Sequence, residues 1–147
     1  MDTRLDYFAA PTAGKVLKYF MPAGKVLKDS SLPATTQELV ALRVNQINGC
    51  AVCVDMHTKE AAGETPVRLN LVTAWREAAV FTEAERAALA LALALALALA
   101  LAEEGTRIAD AAQEIGDEVG THAAEHYDGE QLTALVMLVS FLTSSLA

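Results

Sequence analysis

An all-α fold, a compact helical bundle, is what this sequence predicts, and three observations carry the prediction. Helix-start signals recur along the chain: Thr35-x-x-Glu38, Thr82-x-x-Glu85 and Asp128-x-x-Gln131 read as capping boxes, and Thr65-Pro66 sets a cap before a first-turn proline. A long uncharged stretch, Ala88 to Ala102, is built from Ala and Leu alone, both strong helix formers. Strand signals are missing, since Val, Ile and aromatic clusters between glycine turns do not occur.

The elements follow in order. At 147 residues the chain is long enough for one domain with a real core. Residues 1–30 read as an N-terminal arm, in which Ala13-Gly-Lys-Val-Leu-Lys18 recurs as Ala23-Gly-Lys-Val-Leu-Lys28. Two copies are too few for a solenoid, so this is a local duplication. Residues 35–80 hold the core motif region. Its first helix opens at the Thr35 box, continues through Leu39, Val40, Leu42, Val44 and Ile47, and ends at Asn48-Gly49. A second is expected from about Cys50 to Ala62, stopped by Gly63, and a third from Thr65-Pro66 through Trp75 to about Val80.

Residues 82–104 form an Ala/Leu-rich helix, with Ala and Leu alternating from Ala88 to Ala102. Alternation alone would favour a strand, but propensity and the preceding capping box decide for helix. Leucines at every second helical position cover all sides, so this helix is expected in the core or a subunit interface. The run falls short of the ~20 residues of a membrane span, and Glu83, Glu85, Glu103 and Glu104 flank it. Residues 105–147 complete the domain with C-terminal helices, the last apolar from Asp128 to Leu146.

Composition narrows the function. A net charge of −8 without a basic run argues against nucleic acid and anionic membranes. Hydrophobic content of 53% and mean hydropathy of +0.29 point to apolar surface buried between subunits, hence a homo-oligomer. No charged-then-apolar leader opens the chain, so a reducing cytoplasm is the expected compartment. There a Cys-x-x-Cys pair is catalytic or metal-binding rather than a structural staple.

The two cysteines, Cys50 and Cys53, stand three apart, with His57 four further on and Glu38 twelve before. On a helix starting near Cys50, positions 50, 53 and 57 share one face. First-turn amides and the positive helix end favour thiolate there. The turn at Asn48-Gly49 folds the preceding helix back, so that Glu38 comes alongside His57. A carboxylate beside imidazole orients it and raises its basicity for taking a thiol proton. A relay of Glu38, His57 and Cys53, with Cys50 as second thiol, follows. Each member has a plainer role available: Glu38 as a capping residue, His57 as an exposed helix residue, the cysteines as half a zinc site.

The stretch Glu38-Leu-Val-Ala-Leu-Arg-Val-Asn-Gln-Ile-Asn-Gly-Cys-Ala-Val-Cys-Val-Asp-Met-His57 resembles the core motif of the alkylhydroperoxidase D-like, or carboxymuconolactone decarboxylase, family. Similarity continues through Thr58–Ala61, Arg68–Ala78 and Phe81–Arg86. The resemblance implies an all-helical protein of the alkylhydroperoxidase D-like type, assembled as a trimer or hexamer, that reduces small hydroperoxides. It implies Cys53 as the peroxidatic cysteine, Cys50 as the resolving thiol and proton donor, and Glu38 and His57 as the proton relay. The redox disulfide would replace any bound cofactor or metal, with a lipoylated protein or another dithiol as electron donor. Some members carry a histidine where this chain has Val52. Decarboxylases of the family generally lack the Cys-x-x-Cys, which favours the peroxidase branch. Competing readings are a dithiol–disulfide oxidoreductase acting on a protein partner, a decarboxylase-like member, and an inactive or artificial one.

Two further features are set beside the motif. His122-Ala-Ala-Glu-His126 fits the H-x-x-E-H pattern of zinc peptidases, with both histidines expected on one helical face, but a peptidase needs a further acidic ligand and a cleft, which leaves the match to chance. Trp75 is expected to pack, and Arg76 and Glu77 to be solvated.

Overall fold

A computed structural model of the chain describes residues 11–61, 63–104 and 117–144. Every regular element among them is helical, as expected. The chain divides into two units, Met1–Ser30 and Ser31–Ala147. The first contains α1 (Pro11–Lys28), one helix that carries both copies of the duplicated segment and has Pro22 inside it.

The second unit contains α2 (Ala34–Ile47), α3 (Ala51–Glu60), α4 (Pro66–Leu71) with a 3-10 turn at Val72–Ala74, α5 (Glu83–Glu104), α6 (Asp117–Ala124) and α7 (Gly129–Ser144). Helix α2 is central, packing on α3, α5 and α7, while α5 also packs on α6 and α7. Leu39, Val40, Leu42 and Val44 of α2 meet a core completed by Val72, Leu89, Leu135 and Val139, all essentially without solvent contact. Each such side chain contributes roughly 1.5–3 kcal/mol by its burial.

Most helix boundaries follow local chemistry. Helix α2 ends in a Schellman turn: Cys50 N–H donates to the Asn45 carbonyl (3.1 Å) and Gly49 N–H to that of Gln46 (3.3 Å). Gly49 has φ +68°, the left-handed conformation this turn needs and glycine adopts without penalty. Thr65 caps α4 by accepting from Arg68 N–H (3.3 Å), with Pro66 in the first turn. The capping box at Thr82 closes in both directions: Glu85 N–H donates to Thr82 Oγ1 (3.2 Å) and Thr82 N–H to Glu85 Oε2 (2.8 Å). Asp128 and Gln131 exchange the same pair of bonds before α7.

Three expectations are corrected. Thr35-x-x-Glu38 is not a capping box. Helix α2 begins two residues earlier, at Ala34 after Pro33, whose carbonyl accepts from Gln37 N–H (3.0 Å), and no side chain caps it. Proline disfavours helical backbone at Leu32, so the helix starts immediately after it. The helix expected from Pro66 to about Val80 stops at Leu71 and gives way to the 3-10 turn and loop. There the carbonyls of Trp75 and Ala78 accept from the Arg86 guanidinium, and that of Val80 accepts from Arg68, instead of continuing a helical ladder. The H-x-x-E-H segment is not wholly helical either, since α6 ends at Ala124 and His126 lies in the turn beyond.

The Ala/Leu run is helical. Leu89 and Leu91 are buried with Ala87, Ala88, Ala92 and Ala96, whereas Leu93 and Leu95 are only partly covered. The side chains of its last residues, including Glu103 and Glu104, lie outside the described residues, as do the expected helix end at Ala62, positions 105–116, and 145–147 with Leu146. Trp75 is buried, and the exposed Arg76 guanidinium lies 4.4 Å from its ring centroid. Among the described residues no helix is long and apolar enough to cross a membrane.

Candidate redox site

The Schellman turn that ends α2 fixes where the first cysteine sits. Cys50 is the last residue of that turn and also the N-cap of α3, with extended backbone. Its carbonyl accepts the first helical bond, from Val54 N–H (2.9 Å), and its Sγ accepts from Cys53 N–H (3.3 Å). A sulfur in this position faces amides that have no partner within the helix, where negative charge is favoured. Cys53 lies one turn on, with its Cα 5.3 Å from that of Cys50, and the two sulfurs are bonded to each other. Both residues are half-buried, while Val52 between them is 80% exposed.

His57 occupies the next turn of α3 and is the one buried residue of that helix. Its Nδ1 lies 3.2 Å from Glu38 Oε2, across the hairpin on α2. The four residues named from the sequence are therefore gathered on one helical hairpin. The corrected start of α2 bears on Glu38: set free from capping, its carboxylate is directed to His57. Hydrogen bonding at Nδ1 holds the ring in place and leaves Nε2 as the nitrogen available for proton exchange.

Sequence reasoning missed one residue here. Glu60 Oε2 lies 3.6 Å from the same Nδ1, so His57 stands between two carboxylates. The signal was present, because positions three apart on a helix are neighbours. It also missed a charged network beside the hairpin. Arg68 pairs with both Glu64 and Glu85, and Thr35 Oγ1 donates to Glu64 Oε1 (3.2 Å). Burial alone would push the Glu85 carboxyl up, but the bonds from Thr82 and Arg68 outweigh it and hold it below its ordinary value. Arg68 is shifted the opposite way: burial weakens its charge, yet Glu85 and Glu64 raise its pKa.

Comparison with known proteins bears on this arrangement. Residues 14–94, which include all four site residues, match the carboxymuconolactone decarboxylase family. The chain belongs to that family. It is similar to YdfG, an uncharacterized protein of Bacillus subtilis (strain 168), at 36% identity over 146 residues, covering 98% of this chain and 90% of YdfG. It is also similar to YnjA, an uncharacterized protein of Escherichia coli (strain K12), at 29% identity over 118 residues, 76% of this chain and 56% of YnjA. A crystal structure of a protein of unknown function from Agrobacterium tumefaciens, provisionally named an antioxidant defence protein AhpD, matches with a TM-score of 0.80. It is 29% identical to this chain, and the match covers 99% of this chain and 91% of that one. The carboxymuconolactone decarboxylase family membership and the AhpD-like fold agree with the resemblance carried by the Glu38–His57 motif.

Proposed function

We propose that this protein is a thiol peroxidase that reduces organic hydroperoxides with Cys53 and Cys50. One juxtaposition carries the reading: a bonded cysteine pair at the start of α3, one turn before a buried His57 anchored by Glu38. In the reduced state His57 takes the Cys53 thiol proton, directly or through a water, and Glu38 stabilises the charged ring. The thiolate attacks the terminal peroxide oxygen and the O–O bond breaks. The alkoxide leaves as alcohol after accepting a proton, and Cys53 becomes a sulfenic acid. The Cys50 thiolate then displaces hydroxide, which departs as water, and the disulfide closes. An external dithiol, such as a lipoylated protein or a small dithiol, restores both thiols by exchange.

A second reading has its own support. Val52 projects into solvent between the cysteines, and the capping position favours thiolate at Cys50, which together would suit disulfide exchange with a protein partner. Stopped-flow oxidation of the reduced protein by an organic hydroperoxide separates the two. The peroxidase reading expects one equivalent of peroxide to consume both thiols far faster than free thiol reacts. Sulfenic acid should form in Cys50→Ser but not in Cys53→Ser. A rate no faster than free thiol rejects the peroxidase, and sulfenic acid confined to Cys53→Ser exchanges the roles of the two cysteines.

A further inference from the structure

A separate group of donors lies at the end of α6. His122 is in the last turn of that helix, and Glu125 and His126 follow in the turn that leaves it. Glu125 and His126 N–H donate to the carbonyls of His122 and Ala123 (3.3 and 3.1 Å). The chain therefore keeps a tightened helical course past its last regular residue, and positions i, i+3 and i+4 stay on one side. The next residue, Tyr127, is pinned to α5, its hydroxyl donating to the Ala84 carbonyl (2.7 Å).

The three side chains converge. His122 Nδ1 is 3.4 Å from Glu125 Oε2, and the two imidazole rings meet edge to face with centroids 5.2 Å apart. One nitrogen or oxygen from each residue lies within 4.8 Å of the other two. Ligand atoms around tetrahedral zinc stand roughly 3.4 Å apart, given bonds of about 2.1 Å. The side chains thus need to close by little more than an ångström. They are free to do so, since those of His122 and Glu125 are 45% and 64% exposed. Two imidazoles and a carboxylate form a donor set suited to zinc and its neighbours, in contrast to the oxygen-only sets of calcium and magnesium. The carbonyl end of a helix also favours a cation.

We propose that His122, Glu125 and His126 bind a divalent transition-metal ion of the zinc type, with the remaining coordination position taken by water. His126 also lines an open cavity of about 570 Å³ whose wall includes Glu64, Arg68 and Tyr127. The ion would sit at the edge of that cavity, apart from the cysteines. The site is one of ion binding and does not depend on the peroxidase reading or on peptide hydrolysis.

Cobalt(II) titration of the full chain tests it, with the Cys50–Cys53 disulfide kept oxidised so that neither sulfur can act as a ligand. One equivalent should give the visible bands of tetrahedral cobalt, and zinc should displace it. Losing even an outer hydrogen-bond partner of a metal ligand costs roughly tenfold in affinity. His122→Gln and His126→Gln should each cost at least that, with helicity checked by circular dichroism. His122 is half-exposed, so its variant tests the site without disturbing the core. Glu60→Gln should leave affinity unchanged, because it alters the other donor cluster among the described residues, Glu38, His57 and Glu60. Binding that survives both histidine variants, binding that falls with Glu60→Gln, or no tetrahedral bands at millimolar cobalt would each overturn the proposal.

Discussion

Thr35-Thr36-Gln37-Glu38 and Thr82-Glu83-Ala84-Glu85 present the same helix-start pattern, and the molecule uses them for different ends. At Thr82 the pattern is a capping box: hydroxyl to amide one way, carboxylate to amide the other. At Thr35 neither bond forms. Pro33 takes the N-cap position, which puts Thr35 second in the helix and Glu38 fifth. Thr35 then bonds Glu64, and Glu38 bonds His57. A proline two residues before the pattern thus turns a structural glutamate into one available for chemistry. One carboxylate supports the start of its own helix, and the other reaches across a hairpin to a histidine 19 positions away.

The largest effect that separates the two glutamates should appear in activity. Replacing Glu38 with Gln removes the carboxylate charge 3.2 Å from His57 Nδ1, the charge on which the proposed relay depends. A positioned acid–base group is worth about 10²–10⁴ in rate, and the loss here should lie near the lower end because Glu60 remains 3.6 Å from the same nitrogen. Oxidation of the reduced protein by hydroperoxide at neutral pH should slow by about 10², while urea unfolding shifts by less than about 1 kcal/mol. An unchanged rate would return Glu38 to a structural role.

For Glu85 the balance reverses, and stability carries the effect. Glu85→Ala removes the half of the capping box that depends on the carboxylate, the bond from Thr82 N–H, and one of two partners of Arg68. Breaking a buried ion pair costs roughly 3–5 kcal/mol. With Glu64 still paired to Arg68, about 2–3 kcal/mol is expected by urea unfolding, without loss of peroxide reactivity in the folded protein. The effect has a pH signature. The folded carboxyl titrates below its ordinary 4.5, so its contribution is complete above that value and disappears as pH falls through the lower, folded value. Wild type and variant should therefore converge in stability on acidification. A constant gap down to strongly acid pH would mean the ionised carboxylate is not what stabilises the fold.

What could be read in the sequence depended on how far each determinant acts. Gly49, Thr65-Pro66, Thr82 and Asp128 act through bonds between residues three to five positions apart, and each marks a helix boundary where it was expected. The stop after Leu71 could not be read this way. It depends on guanidinium groups of Arg86 and Arg68, 8 to 12 residues from the carbonyls they hold. The meeting of Glu38 and His57 was legible despite their 19-residue separation, because a glycine turn between two helices nearly dictates which positions come level. The convergence of His122, Glu125 and His126 was visible as spacing. Its meaning depended on whether the chain keeps a helical course beyond Ala124, and that is a property of the turn held at Tyr127.

The smallest difference tests the comparison at its origin, the two threonines. Thr82→Ala deletes an N-cap hydroxyl, which typically costs about 1 kcal/mol. Thr35→Ala deletes a hydroxyl that caps nothing and donates to a partly buried Glu64 carboxylate, worth about 0.5–1 kcal/mol. Alanine then recovers about half a kcal/mol as a better helix former within the first turn. The net change at Thr35 should be near zero, against a clear loss at Thr82, measured by urea unfolding of the two single variants side by side. Equal losses would mean that Thr35 caps its helix after all. Glu38 would then be drawn back toward the Thr35 amide, and its carboxylate would be shared between His57 and the backbone.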